Sequence, residues 1–146
     1  MTIKEYLNQI GYYREYLRQL KTRKENIHID YTGISAIDYG GDRVQSSPTN
    51  KLEDEGWRLL ERIQNIDKEI ERVSILIDDI STEIHEVDGG KYSQILFLRY
   101  YDGKNLKEIS AEQHTDYNQI CRIHGAALRA FAIKHNNLQQ NTVITN

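Results

Sequence analysis

Cysteine, proline and long apolar runs are scarce in this sequence of 146 residues. Cys121 is the only cysteine, so the chain cannot form an internal disulfide, which fits a reducing compartment. Pro48, the only proline, lies in the one long segment that interrupts the helical patterns. No apolar run is long enough to span a membrane, and no basic and then apolar leader precedes Lys4 and Glu5. We therefore expect a soluble, cytoplasmic protein without membrane contacts.

Residue patterns typical of enzymes and metal sites are also missing. No serine or cysteine stands in a recognisable motif with a histidine and an acid, and no paired carboxylates flank a predicted pocket. Cys121, His124 and His114 come closest to a zinc site, but their spacing matches no common zinc pattern. Acidic residues between positions 67 and 88 are spread around a helix, as on a solvated face. We expect no enzymatic activity, metal or cofactor.

Two long segments carry apolar residues at alternating spacings of three and four, which predicts paired helices. The first segment covers residues 2–29 and the second covers residues 51–87. Together they predict an antiparallel helical hairpin, or coiled coil, over residues 1–88, and we expect its surplus apolar positions to form a homo-oligomer. The predicted oligomerisation residues are Ile63, Ile70, Val73, Ile77, Ile80 and Ile84.

Residues 30–50 separate the two helical segments and are predicted to form a loop. They contain three glycines, two adjacent serines and Pro48. A loop of this length is usually either functional or disordered, and a flexible connection is the simpler interpretation. Phosphate binding by Gly40 and Gly41 is disfavoured because no glycine-lysine-serine/threonine sequence follows them.

The C-terminal part predicts a helix-turn-helix. Gly89 and Gly90 mark a domain boundary, a helix follows over residues 91–101, and residues 106–131 predict two helices joined by a short turn. Asp116 is suited to cap the second of these helices, and His114 is among the few residues besides glycine that tolerate a positive φ in the turn. We therefore expect a domain over residues 89–134. The uncharged tail, residues 135–146, is predicted to be disordered.

Charge is distributed unequally between the two predicted regions. Residues 1–88 contain 12 basic and 18 acidic residues, which gives a net charge of −6. Residues 89–146 contain 7 basic and 4 acidic residues, which gives a net charge of +3. A positive charge confined to the helix-turn-helix suits phosphate binding, although +3 predicts weak binding by a single copy.

The sequence RYYDGKNLKEISAEQHTDYNQICRIHGAALRAF, residues 99–131, resembles the DNA-binding region 4 of bacterial sigma factors. The matching residues are Arg99, Tyr100, Gly103, Leu106, Glu108, Ile109, Ile120, Ile123, Ala127, Leu128 and Arg129. Gln113 and His114 replace the buried leucine or methionine and the glycine of that pattern. With its long N-terminal segment and GGDRVQSS at residues 40–47, the whole chain is similar to phage late-gene regulators of the ArpU and RinA type.

This resemblance implies a transcriptional regulator that binds double-stranded DNA, with host RNA polymerase as a further partner. It places Tyr117, Asn118, Cys121 and Arg122 against base edges, and Lys104, Lys107 and Arg129 against phosphates. Arg122 is chemically suited to guanine and Asn118 to adenine. The alternative is a sigma-like interaction module that docks on RNA polymerase or a sigma factor without contacting DNA.

Overall fold

The computed structural model describes residues 1–37, 48–87 and 89–144, with side chains described over residues 1–30, 53–87 and 89–137. Every regular element in these ranges is a helix: α1 (Ile3–Ile37), α2 (Pro48–His85), α3 (Gly90–Leu96), a π-helical turn (Phe97–Tyr101), α4 (Leu106–Glu112) and α5 (Tyr117–Ile144). The long helices α1 and α2 pack against each other. The predicted all-α fold is confirmed. No described helix is both long and apolar enough to cross a membrane.

The predicted loop over residues 30–50 is too long at both ends. Helix α1 continues to Ile37, because one glycine such as Gly33 costs a helix only about 1 kcal/mol and does not end it. Helix α2 begins at Pro48, since proline is well tolerated at the first position of a helix. The segment GGDRVQSS, residues 40–47, lies outside the described residues.

Reciprocal hydrogen bonds between Thr2 and Glu5 fix the start of α1. The Glu5 backbone N–H donates to the Thr2 hydroxyl at 3.2 Å, and the Thr2 backbone N–H donates to the Glu5 carboxylate at 2.7 Å. This capping box satisfies two backbone donors that the first turn leaves without helical partners. The hydrogen bonds to Thr2 also hold the pKa of Glu5 below its ordinary value.

Two compact units divide the chain. The middle unit, Glu15–Ser74, contains parts of α1 and α2 that run antiparallel: the Tyr16 hydroxyl lies 3.2 Å from the Glu69 carboxylate, and Lys24 pairs with Asp67 at 2.7 Å. Its buried apolar side chains are Leu20, Ile27, Ile66 and Val73. The three-four apolar spacing thus buries one face of each helix in this unit.

The terminal unit comprises Met1–Arg14 and Ile75–Asn146. It therefore joins the start of α1 and the end of α2 to the C-terminal helices, and the predicted boundary at residue 88 does not separate the units. The Tyr6 hydroxyl donates to Glu83 at 3.0 Å, and the rings of His85 and Phe97 lie 5.6 Å apart. The core of this unit contains Leu7, Ile10, Ile77, Ile80, Ile84, Val87, Ile95, Leu96, Tyr100, Ile109, Ile120, Ala127 and Phe131.

Helix α5 continues well beyond residue 134, where the sequence predicts a disordered tail. The His135 ring packs between Tyr6, at 4.5 Å, and Phe131, at 5.7 Å, and its Nδ1 lies 2.8 Å from the Glu83 carboxylate. The helix then extends to Ile144. The composition of this segment predicts disorder. It does not show the contacts of His135 with Tyr6 and Glu83, because these residues lie far away in the sequence.

The π-helical turn links α3 to the turn before α4. The Asp102 backbone N–H donates to the Phe97 carbonyl at 3.0 Å, and Gly103 follows with a φ of 74°, which suits glycine. The rings of Phe97 and Tyr101 stack at 4.6 Å, and the Arg14 guanidinium lies 4.9 Å from the centre of the Tyr101 ring. The same guanidinium donates to the Tyr101 carbonyl oxygen. These contacts fix the position of Arg99 and Tyr100 within the turn.

Candidate nucleic-acid interface

A four-residue turn, Gln113 to Asp116, joins α4 to α5. His114 has a φ of 50°, which confirms that it takes the conformation normally left to glycine. The Ser110 hydroxyl donates to the Thr115 carbonyl at 2.6 Å, and the Thr115 N–H donates to the Ser110 carbonyl at 3.1 Å. Side-chain and backbone hydrogen bonds together hold the turn, although it contains no glycine.

Asp116 caps α5 as predicted. Its carboxylate accepts a hydrogen bond from the Asn118 backbone N–H at 3.2 Å, and its carbonyl accepts from the Ile120 N–H at 3.0 Å. A carboxylate in this position satisfies an unpaired donor and interacts favourably with the positive end of the helix. The cap fixes where α5 begins, and therefore which side chains its first turns expose.

The first turns of α5 carry apolar and polar side chains on different faces. Ile120 is buried and Ile123 half-buried, whereas Tyr117, Asn118 and Arg122 are exposed. Cys121 is half-buried, and interaction of its side chain with the Tyr117 hydroxyl raises the pKa of Tyr117. The structure thus brings the four predicted base-contacting residues together on one solvent-facing surface.

The predicted phosphate-contacting residues differ in availability. Lys104 lies 2.5 Å from the Glu112 carboxylate, and the hydrogen bond to Glu112 raises its pKa. Lys107 and Arg129 are exposed and form no ion pair within the described part of the chain. Arg129 lies two helical turns beyond Arg122, about 10 Å along the axis. Lys107 and Arg129 are therefore free to meet an anion, whereas Lys104 already has a partner.

A groove of about 440 Å³ opens beside the start of α5 and was not anticipated from the sequence. We call it the basic groove; its lining residues are Lys4, Asn8, Arg99, Tyr100, Asn105, Leu106, Lys107, Tyr117 and His124. Three of these residues are cationic and none is acidic. The match of Arg99 to the sigma pattern was the one sequence feature that pointed to a role for a groove residue. Nothing in the sequence indicated that Lys4 belongs to this groove, because Lys4 lies at the opposite end of the sequence.

A buried hydrogen bond forms the floor of the basic groove. The Tyr100 hydroxyl lies 2.9 Å from His124 Nε2, and both side chains are almost fully buried. Burial, and then the nearby charges of Lys4 and Arg99, lower the pKa of His124, whereas burial raises the pKa of Tyr100. Both side chains are therefore uncharged at neutral pH. The positive charge of the groove comes from its rim.

A smaller groove of about 130 Å³ lies on another side of α5, between α3 and α4. Its apolar lining residues are Ile95, Leu98, Ile109, Ile120 and Ile123. Lys91, Gln94, Gln113, Thr115 and Gln119 complete the lining. We call it the apolar groove. Its mixture of side chains suits an apolar side chain flanked by hydrogen-bonding groups.

The predicted oligomerisation residues are mostly inside the single chain. Val73, Ile77, Ile80 and Ile84 are at most 5% exposed, and only Ile63 and Ile70 are half-buried. The four buried residues pack within the two units, so they offer no surface to a second copy in this arrangement. Their three-four spacing is explained by packing within the chain.

Within the described ranges, no three histidine, cysteine or acidic side chains come together in a way that could hold a metal ion. Comparisons of the chain with protein-family models, curated proteins and solved structures gave no match. The interpretation of the site therefore rests on its residues and on the sigma-like pattern they form.

Proposed function

We propose that this protein is a sequence-specific DNA-binding transcriptional regulator, and that it acts as a phage late-gene activator with RNA polymerase in the host cytoplasm. The observation that carries the proposal is the placement of Asn118 and Arg122. Both side chains are exposed on the first turns of a helix that Asp116 caps and the His114 turn orients. A helix presented in this way suits insertion into the major groove of duplex DNA.

In this proposal, α4 and α5 form a sigma region-4-like helix-turn-helix and α5 is its recognition helix. Arg122 donates two hydrogen bonds to a guanine, and Asn118 pairs with an adenine. Tyr117 and Cys121 complete the base-facing surface, and the cysteine and tyrosine ring offer apolar contact to a thymine methyl group. Each good bidentate contact supplies about 1–3 kcal/mol of discrimination between bases.

Phosphate contacts by Lys107 and Arg129 position the protein on the duplex in this proposal. Both cations lack an ion-pair partner in the described ranges, so binding a phosphate breaks no existing pair. Lys104 is a weaker candidate because Glu112 would have to release it. The local charge of +3 over residues 89–146 favours association with DNA at low salt.

A homo-oligomer would present two recognition helices and offset the modest charge of one copy. Regulators of this kind often bind as dimers to two half-sites, so their affinity depends on both. The proposed hairpin of α1 and α2 carries Ile63 and Ile70 half-buried, and exposes Trp57 at 70%. Light scattering of the purified chain measures the oligomeric state directly, and we expect a species larger than one chain.

The second candidate function, docking on RNA polymerase or a sigma factor without DNA contact, is favoured by the apolar groove. Its isoleucine and leucine side chains suit a partner's apolar residue. This function requires no base contacts, so it makes no use of Arg122.

One titration separates the two candidates. Duplexes that bind the full-length protein are selected from a random library, and their binding is then followed by fluorescence anisotropy with and without RNA polymerase. Saturable binding to the selected duplex by the protein alone, in preference to an unselected duplex, supports DNA recognition. Binding that requires polymerase and is equal for selected and unselected duplexes supports docking of the protein on RNA polymerase and contradicts the proposed function.

A further inference from the structure

Three separate parts of the chain supply the cations of the basic groove. Lys4 lies in the first turn of α1, Arg99 in the π-helical turn, and Lys107 in the first turn of α4. All three belong to the terminal unit. The groove also reaches Tyr117, the first residue of α5.

None of the three cations of the groove is paired with a carboxylate among the described residues, unlike several cations elsewhere in the chain. Arg18 pairs with Glu15 at 2.7 Å, Lys24 with Asp67 at 2.7 Å and Lys104 with Glu112 at 2.5 Å. In contrast, Lys4, Arg99 and Lys107 have no ion-pair partner among the described residues. Three neighbouring cations repel one another, so an arrangement that leaves them together favours an anion.

The side chains around these cations leave few alternative partners. The Arg99 guanidinium lies over the Tyr100 ring, 5.5 Å from its centre, a contact that leaves its N–H donors available to an anion. Glu108, next to Lys107 in the sequence, is hydrogen-bonded to the Asn105 side chain at 3.0 Å and is not among the lining residues. The floor contributes no counter-charge, because burial raises the pKa of the Tyr100 hydroxyl and so keeps it uncharged at neutral pH.

We propose that the basic groove binds the phosphodiester backbone of the DNA duplex, with Lys4 of α1 contributing a phosphate contact beside those of Arg99 and Lys107. The inference rests on the proposed function, since it extends the surface on which α5 meets DNA. The groove and the base-facing surface share Tyr117, so a duplex whose bases contact Asn118 has its backbone next to the groove. The start of α1 is then part of the DNA interface and not only of a helical hairpin.

A phosphate contact has a measurable signature. Each neutralised phosphate releases counterions, so the logarithm of the association constant falls with the logarithm of salt concentration by a slope of about 0.9 per contact. The test uses the full-length protein, a mixed-sequence duplex labelled with fluorescein, and Lys4→Glu. Its control is Lys21→Glu, which makes the same charge change at an exposed position on α1 in the middle unit.

We expect Lys4→Glu to weaken binding several-fold more than Lys21→Glu does, and to reduce the salt slope by about one unit. The fold should persist, because an acidic residue in the first turn of a helix interacts favourably with the helix dipole. Circular dichroism checks this. Arg99→Gln provides a second variant at a different element and should reduce the slope similarly.

The inference is overturned when the wild type binds the duplex and Lys4→Glu matches Lys21→Glu in both affinity and salt slope. It is also overturned when Lys4→Glu leaves DNA binding intact but loses binding to RNA polymerase, because the groove then serves a protein partner. A wild-type protein that binds no duplex at all overturns the proposed function, and this inference with it. The first two results require a wild type that binds the duplex and the third a wild type that does not, so failure of this inference and failure of the proposed function can be told apart.

Discussion

The Tyr100 hydroxyl lies 2.9 Å from Nε2 of His124, inside the core that joins the π-helical turn to α5. The pair ties the element that carries Arg99 to the helix that carries Arg122. Because both side chains are almost fully buried, the bond gives each of them a hydrogen-bond partner inside the protein. The bond is therefore one of the contacts that place the basic groove beside the base-facing surface.

Acidic pH should lower the free energy of unfolding, because the buried His124 side chain becomes protonated. Burial first, and the charges of Lys4 and Arg99 second, lower its folded-state pKa below the ordinary 6.5. The unfolded chain then binds a proton more readily than the folded chain. The stability contribution is therefore complete above pH 6.5 and is lost as the pH falls from there through the folded-state pKa.

We expect the free energy of unfolding of the wild type to decrease between about pH 7.5 and pH 5 more steeply than that of His124→Gln. Glutamine can accept the Tyr100 hydrogen bond but does not titrate. Urea denaturation across this range measures the difference. Parallel curves for the two proteins would show that His124 is not held neutral by its surroundings.

The turn before α5 depends on the backbone of His114. Its φ of 50° is strained for a β-branched residue, so His114→Val should lower the free energy of unfolding by about 1–2 kcal/mol. His114→Gly should leave stability unchanged or raise it. The matched control is Gln113→Val, where φ is −85° and valine is tolerated. Equal losses from the two valine variants would argue against a backbone origin.

Local interactions account for what could be predicted from the sequence. The Asp116 cap and the His114 turn depend on neighbouring residues, so a short stretch of sequence is sufficient to predict them. Beyond residue 134, His135 of α5 contacts Tyr6 and Glu83, which lie far away in the sequence and reach it only in the folded chain.

The same distinction applies to the candidate site. Asn118 and Arg122 were predictable because the period of one helix places them on one face. The proximity of Lys4 and Arg99 is a property of tertiary packing, which no spacing within either segment records. The spacing of apolar residues along a helix also does not reveal which surface they pack against. The sequence therefore suggested a contact between copies for four residues that are buried within one chain: Val73, Ile77, Ile80 and Ile84.

Ile77 and Ile75 provide a matched pair for testing that burial. Ile77 is 5% exposed and Ile75 is 52% exposed on the same helix. Ile77→Asp places an unpaired charge in the core and should lower the free energy of unfolding by about 3 kcal/mol or more. Ile75→Asp should change it by about 0.5 kcal/mol or less. Urea denaturation measures both, and similar stabilities would mean that Ile77 is not a core residue.

Arg122 offers the most direct test of DNA recognition. The measurement is the ratio of affinities for a duplex selected by the wild type and for an unselected duplex, determined by fluorescence anisotropy for the wild type, Arg122→Ala and Lys107→Ala. Arg122→Ala should reduce this ratio by a factor of about 5 to 160, which corresponds to about 1–3 kcal/mol of discrimination. Lys107→Ala should weaken binding to both duplexes alike and preserve the ratio. Both side chains are exposed, so circular dichroism should show an intact fold. An Arg122→Ala protein that keeps the wild-type ratio would contradict recognition of bases by α5.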